Sequence, residues 1–394
     1  MRICIFGSEI GPVKKGVFVG GSTVSAVRLG QALHSMGDEV FVLSSAPRGK
    51  QSAHFSFEWG KVDNKHIQGR YMSPPYLLLY LMFSFFGLLC FCKRNKIEVI
   101  STHAGSYFLS AIPGVVGRIL NIPVFHTQYC ELVSTNTVGG SLSRSLVRIC
   151  SMLPVKFLGI SANVCVSLVH SGVHKSKVEL IFPIVPCQPQ NAPRNVEYMS
   201  SLGFEDNDYI ALFVGNLKKN KGLDILFDAF VDLASSYPNL RLLVTTELKH
   251  QDFLERKVSL EGKLVDKGLV DRVVWLGFVD NIIGLIRDVD VLVVPFLDLK
   301  GISDYPLVVL EAMSVGTPVV ATSVGGTLEV LSADVGVLVP PGDVDALSKG
   351  LRSIMAKGLS KTTKASESTL RCFDQAVVGC KYQNLFKNKV ARND

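Results

Sequence analysis

The stretch from Ile302 to Thr322 carries the residue types and spacing most suited to chemistry. Asp304 and Pro306 read as helix-entry residues, because the N–H that proline lacks would have no partner in a first turn. Val308, Val309, Ala312 and Met313 give the helix apolar faces, Gly316 stops it, and Val319-Val320-Ala321 is a short buried strand. A helix end that no protein carboxylate caps gathers several backbone N–H groups, which is how a phosphate is held. Glu311 lies further into the helix, where the backbone needs no capping. A carboxylate there suits paired hydroxyls of the kind a ribose presents.

The elements that would position these residues repeat along the chain. Arg2–Gly7 and Glu39–Leu43 are apolar runs separated by a Gly20-Gly21-Ser22 loop and by a helical period over Thr23–Met36, which Gly37 ends. Further strand-like runs cover Glu98–Ser101, Val124–Thr127 and Phe157–Ser161. Cys187–Arg194 is rich in Pro, Gln and Asn and reads as a linker. A second set covers Tyr209–Val214, Leu240–Thr245, Val273–Leu276, Val291–Pro295 and Pro318–Ala321, and a helix-like stretch runs from Leu370 to about Lys387. The expected class is α/β, with two Rossmann-like, doubly wound parallel units facing each other across a cleft and binding ligands at the carboxyl ends of their strands.

Composition agrees with a folded two-domain chain. The protein has 394 residues, 47% of them hydrophobic and 19% charged, which excludes a disordered chain. The net charge of +7 is unevenly spread: residues 1–190 hold eighteen Lys and Arg against eight Asp and Glu, whereas the remainder holds twenty-three against twenty-six. A basic first half suits anions such as phospholipid headgroups or phosphorylated acceptors, and it equally suits a merely solvated surface. Nine cysteines lie mostly in apolar runs without zinc-ligand or CxxC spacing, so neither a metal site nor a disulfide framework is expected. Met1–Gly7 lacks a basic n-region and reads as a strand rather than a signal peptide, and reduced thiols suit the cytoplasm. Tyr76–Cys92 is an uncharged run followed by Lys93-Arg94-Asn95-Lys96. It is marginal for crossing a bilayer, which leaves a buried helix or one lying in a membrane interface.

Glu311-Ala312-Met313, Gly316-Thr317-Pro318-Val319, Gly325-Gly326 and Glu329 together resemble the donor-site motif of the retaining glycosyltransferases of family 4, the group 1 enzymes of GT-B fold. In that family a first acid precedes the second by eight positions and holds the donor sugar. Here Ser303 takes that place, with Asp304 beside it, and Glu311 matches the second acid. Phe213–Gly222 is similar to a second family motif with an Arg and a Lys that face the diphosphate. Lys221 fits the Lys, whereas Asn216 stands at the Arg position, which leaves Lys218 or Lys219 to compensate.

The resemblance implies retaining transfer of a hexosyl or other sugar from a nucleotide-diphosphate sugar to a hydroxyl of a glycan or lipid-linked acceptor. It implies no tightly bound cofactor or metal and no nucleic-acid partner. The reduced thiols suit a cytoplasmic enzyme, and the basic first half with Tyr76–Cys92 suits reversible contact with an anionic membrane face, the alternative being a core helix. The implied roles are leaving-group stabilisation by Lys221, phosphate binding by the amides of Leu307 and Val308, and ribose binding by Glu311. Gly20 and Gly21 would face the diphosphate. His103 and His126 would lie near the acceptor face of the donor sugar, with Tyr129 rather than His126 in the place of the commoner histidine. The implied domains are an acceptor-side unit over 1–186, a linker over 187–207, a donor unit over 208–370 and a helix over 371–394 that returns to the first domain. Two rival readings are a non-catalytic nucleotide-sugar-binding subunit, prompted by Ser303 and Asn216, and a related GT-B epimerase or phosphorylase.

Overall fold

A computed structural model describes residues 1–8, 21–47, 55–57, 60–67, 74–104, 108–132, 150–186, 193–246, 251–300, 302–357 and 370–391. The chain divides into two compact units. One comprises Met1–Ile184, Gly301–Asp304 and Cys372–Asp394, and the other comprises Val185–Lys300 and Tyr305–Arg371.

The first unit contains β1 (Arg2–Ser8), α1 (Gly21–Ser35), β2 (Glu39–Pro47), β3 (Phe55–Phe57), β4 (Gly60–Ile67), α2 (Pro74–Arg94), β5 (Val99–Ala104), α3 (Phe108–Leu120), β6 (Val124–Gln128), β7 (Val155–Gly159), α4 (Ala162–His170) and β8 (Val178–Leu180). Its sheet has the order β3-β4-β2-β1-β5-β6-β7-β8. Every neighbouring pair is parallel except β3 and β4, an antiparallel edge that the alternation of strands and helices does not reveal. Helix α1 buries Ala26, Leu29, Ala32 and Leu33 at helical spacing, and the turn after it needs Gly37 at φ +86°.

The second unit contains α5 (Val196–Ser201), β9 (Tyr209–Val214), α6 (Leu223–Ala234), β10 (Leu240–Thr245), α7 (Gln251–Val265), β11 (Val273–Leu276), α8 (Ile282–Asp288), β12 (Val291–Val294), α9 (Leu307–Val315), β13 (Val319–Thr322), α10 (Thr327–Val330), β14 (Gly336–Val339) and α11 (Val344–Lys357). Its sheet is parallel throughout, in the order β11-β10-β9-β12-β13-β14. Leu223, Leu226, Phe227, Phe230 and Leu233 of α6 form the core with sheet residues such as Phe213, Leu242, Val244 and Val293. The expected linker differs from the structure over its second half. Asn195 caps α5 by accepting from the Tyr198 N–H at 3.0 Å, and Met199 and Phe204 are buried, so these residues are part of the second unit.

The last helix, α12 (Gln375–Val390), packs in the first unit. Asp374 caps its start by accepting from Ala376 and Val377. Val378, Tyr382 and Phe386 join the core of Ile3, Ile5, Leu29 and Phe125, with the Phe386 and Phe125 rings 4.7 Å apart. Gly379 lets α12 approach α1 closely, since a Cβ there would sit 2.6 Å from the Met36 methyl and 3.1 Å from Ala32. Phe386→Ala should therefore cost about 3–5 kcal/mol, the usual loss for a fully buried phenylalanine. The urea midpoint should fall most for the transition that hydrogen exchange assigns to the amides of Ile3, Leu29 and Phe125.

Candidate functional site

In the second sheet β9 and β12 are neighbours, and the chain runs outward from them in opposite directions. This is the topological switch point of a doubly wound sheet, where loops leaving the two carboxyl ends part and make room for a ligand. The loop leaving β9 carries Asn216, Lys218 and Lys221, and the one leaving β12 carries Phe296–Ser303 and runs into α9.

The two loops are bound to one another. Leu297 N–H donates to the Asn220 carbonyl at 2.8 Å, and the Asn220 amide donates to Asp298 at 3.2 Å and to the Lys300 carbonyl at 3.1 Å. Gly222 ends the short turn at φ +67°, and a Cβ there would meet the Pro295 carbonyl oxygen at 1.7 Å. Only glycine fits such a contact. Behind the second loop, the Thr322 hydroxyl donates to the Phe296 carbonyl at 2.6 Å.

This frame places the Lys221 ammonium 3.8 Å from the centre of the Phe296 ring. Burial, aided by the positive charge of Lys218, lowers its pKa from the ordinary 10.5 to about 8. The aromatic face partly offsets that penalty for the charged form. The Asn216 side chain does not extend as an arginine would: its carbonyl oxygen accepts from the Lys218 N–H at 3.3 Å and shapes the turn.

Helix α9 begins at Leu307 after Pro306, and no side chain caps it. The amides of Leu307 and Val308 lie in this first turn, which concentrates the positive end of the helix dipole. Gly316 terminates the helix at φ +78°. Glu311 is buried, at 4% exposure. After β13, Gly325 adopts φ +50° and Thr327 bonds to the carbonyls of Thr322 and Val324, fixing the turn into α10. Tyr305 is buried and its hydroxyl donates to Glu329 at 2.5 Å.

Asn216, Lys218, Lys221, Leu307, Val308 and Glu311 thus share the second unit. Ser303 and Asp304 group with the first unit, where Asp304 N–H donates to the Tyr129 carbonyl at 2.8 Å. Gly21 opens α1, whereas Gly20 lies outside the described residues. The frame residues Asn220, Pro295, Phe296 and Thr322 were not legible as site residues. Gly222 was the available signal, a glycine in a lysine-rich turn.

His103 and His126 differ from the expected residues at a ligand face. They are 3% and 0% exposed, inside the first unit. His103 Nδ1 lies 2.7 Å from the Tyr129 hydroxyl, and its Nε2 lies 3.0 Å from Ser101 Oγ. Gln128 donates through its amide nitrogen to the Cys130 carbonyl at 2.8 Å, which turns its oxygen to His126 Nε2 at 3.1 Å. That makes Nε2 the protonated nitrogen and leaves Nδ1 to accept from Thr102 at 2.7 Å. Burial, with a smaller contribution from His126, lowers the pKa of His103 to about 3. Burial lowers that of His126 to about 4, against an opposing hydrogen bond to Gln128. Both rings are neutral at pH 7.

The sequence model of the Glycosyltransferase Family 4 matches residues 19–188, and that of the Glycosyl transferases group 1 matches residues 196–369. The chain belongs to the group 1 glycosyltransferases. An uncharacterized glycosyltransferase of Methanocaldococcus jannaschii is 31% identical over 164 residues, 41% of this chain and 39% of the relative. The phosphatidyl-myo-inositol mannosyltransferase of Mycobacterium leprae is 28% identical over 203 residues, 49% of this chain and 51% of the relative. This glycosyltransferase therefore matches about half or less of the length of those two relatives. Among solved structures, Anabaena HepE in complex with UDP-glucose is similar over 98% of this chain and all of its own, with a TM-score of 0.74 at 15% identity. The fold of this glycosyltransferase is GT-B, two α/β units with doubly wound sheets.

The two histidines give the glycosyltransferase an acid-sensitive interior. Their folded pKa values lie below the unfolded value of about 6.5, so the unfolded chain binds more protons as pH falls. Their contribution is complete above about pH 6.5 and is lost toward the folded values of about 4 and about 3. Between those limits each histidine should remove about 1.4 kcal/mol per pH unit. Urea midpoints measured from pH 7 to pH 4 should fall less steeply in His126→Gln than in the parent.

Proposed function

We propose that this glycosyltransferase moves a sugar from a nucleoside-diphosphate sugar to a hydroxyl group with retention of anomeric configuration. The donor assignment is carried by the two loops that leave β9 and β12 at the switch point, one bearing the half-buried Lys221 ammonium against Phe296 and the other leading to the uncapped start of α9. A helix N-terminus and an ammonium are complementary to a diphosphate, and burial beside Phe296 keeps the cation from being screened by water. Glu311 then accepts bonds from the two ribose hydroxyls. That HepE was crystallised with UDP-glucose supports a donor of this class.

In the reaction the bond between the anomeric carbon and the diphosphate oxygen breaks as the acceptor oxygen bonds to that carbon from the same face. The acceptor proton passes to the departing phosphate oxygen, and the nucleoside diphosphate leaves. This route needs no strong protein base. Lys221 and the amides of Leu307 and Val308 stabilise the charge that grows on the leaving group. His103 and His126, neutral and bonded at both ring nitrogens, position the ends of β5 and β6 rather than exchange protons. The acceptor is a glycan or a lipid-linked hydroxyl in envelope or glycolipid synthesis, at the cytoplasmic face of a membrane. The name of the mycobacterial relative, with its phosphatidyl-inositol acceptor, supports a lipid.

Lys221→Gln should lower kcat more than donor affinity, because leaving-group charge is larger in the transition state than in the bound donor. Binding of the nucleoside diphosphate should also depend on pH through this residue. The protonated amine binds the anion, so Kd should rise by up to about tenfold per pH unit above about pH 8 in the parent and stay flat in Lys221→Gln. Calorimetry across pH 7–10 reads both effects, and equal kcat in parent and variant would remove Lys221 from the mechanism.

Glu311→Ala should mainly weaken donor binding, by about 1.5–3 kcal/mol for a lost charged hydrogen-bond acceptor. Unchanged donor affinity in the folded variant would refute the ribose assignment. Donor binding without transfer to any glycan or lipid acceptor, and without donor hydrolysis, would favour a non-catalytic subunit.

A further inference from the structure

Tyr305 carries a hydroxyl for which the reaction proposed above has no use. The residue is 1% exposed, yet its hydroxyl donates to the carboxylate of Glu329, an exposed residue, at 2.5 Å. Packing alone is served equally well by a phenylalanine ring, so what the oxygen adds is hydrogen bonding.

That bond closes a ring of contacts around the loop that leaves β12. At the start of the loop the Thr322 hydroxyl donates to the Phe296 carbonyl at 2.6 Å. The Thr327 hydroxyl bonds to the Thr322 carbonyl at 2.9 Å and holds the turn into α10, the short helix that carries Glu329. From Glu329 the bond returns to Tyr305, two residues before α9. Phe296 and Tyr305, the two ends of the loop, are thus tied to one turn, the one between β13 and α10.

The entry to α9 is set by the same bond. Pro306 is fixed by its ring at φ −62°, and a residue that precedes proline is held to extended backbone. Between these constraints the Tyr305 side chain, anchored at its far end, fixes where the helix begins. Val309 N–H turns back to the Pro306 carbonyl at 3.0 Å. The amides of Leu307 and Val308 then stand in the first turn, where an N–H has no partner within its helix. No side chain caps α9, so the direction of these two amides follows from the entry.

Resting on the donor reading above, we infer that Tyr305 and Glu329 are positioning residues for the diphosphate. Their bond holds the start of α9 so that the amides of Leu307 and Val308 meet the anion. Neither residue touches the ligand; both act through the helix start.

Inorganic pyrophosphate carries the diphosphate without base or sugar and is the probe, titrated calorimetrically into the full chain. Tyr305→Phe keeps the buried ring and removes only the hydroxyl. Its Kd for pyrophosphate should rise by about three- to tenfold, the factor that one hydrogen bond of ordinary strength represents. Glu329→Ala, at an exposed position, should show the same loss. The double variant should bind no more weakly than either single one, because both changes break one bond. Glu329→Gln keeps a carbonyl oxygen for the Tyr305 hydroxyl and should restore the parental Kd. A residue that served packing alone would lower the thermal midpoint and leave these affinities in place.

Parental affinity in both Tyr305→Phe and Glu329→Ala, with weaker binding in Lys221→Gln, would overturn the inference and leave the donor reading intact. Additive losses in the double variant, or no recovery in Glu329→Gln, would overturn it as well. Loss in Tyr305→Phe beside unchanged binding in Lys221→Gln would sink the donor reading of Lys221 and leave the anchored helix start standing. A parent that binds no pyrophosphate at low salt would overturn both.

Discussion

The second unit's site depends on one close approach, the turn after β9 lying against the carbonyl of Pro295 after β12. The distance leaves no room for a side chain at residue 222, and the backbone there takes a left-handed conformation that favours glycine. Asn220 and Leu297 complete the union by hydrogen bonds in both directions. A lysine on a freely solvated turn would spread its ammonium over many positions. Here the turn is fixed at both ends, and the Phe296 ring covers the cation. Local backbone geometry therefore becomes a charge held at a defined place over the Phe296 ring.

The first unit uses its buried polar groups differently. Ser101, His103 and Tyr129 form one hydrogen-bonded set, and Thr102, His126 and Gln128 form another that reaches the Cys130 carbonyl. Tyr382 adds a bond from α12 to Thr127 at 3.0 Å. An unsatisfied polar group in such a core would cost more than any of these bonds gains, so the partners specify one another and one packing. The histidines are useful there because a neutral imidazole offers one donor and one acceptor on opposite sides of a flat ring.

The alternation of strands and helices, and with it the α/β class, follows from features visible in the sequence: apolar runs of strand length, helical periods between them, and glycines where helices stop. The motif from Asp304 to Gly316 was legible because proline, uncapped entry and glycine exit are local rules, and α9 obeys them. The antiparallel edge strand β3 was not legible, since three residues carry too little periodicity to register. The burial of His103 and His126 was equally hidden. A histidine in an apolar strand reads the same whether it lines a cavity or meets a threonine from the next strand. Phe296 and Thr322 are positioned by neighbours 75 and more residues or a whole strand away, a relation that no local pattern encodes. The helix Val196–Ser201 was obscured by the Pro-rich composition just before it.

Asn216, where the family resemblance implies an arginine, bears on the chemistry of the site. A guanidinium remains charged at every accessible pH and clamps a phosphate through a fixed fork. Asn216 spends its side-chain oxygen on the Lys218 amide and contributes shape instead of charge. The cation held against Phe296 is then a lysine whose proton affinity burial has already weakened, with Lys218 exposed nearby. Placing a second fixed charge at residue 216 would lower that affinity further by repulsion, while an asparagine leaves it near the physiological range. Under the proposed donor reading, a bound diphosphate would shift the balance the other way and favour the ammonium, so that the charge of the site would follow its occupancy.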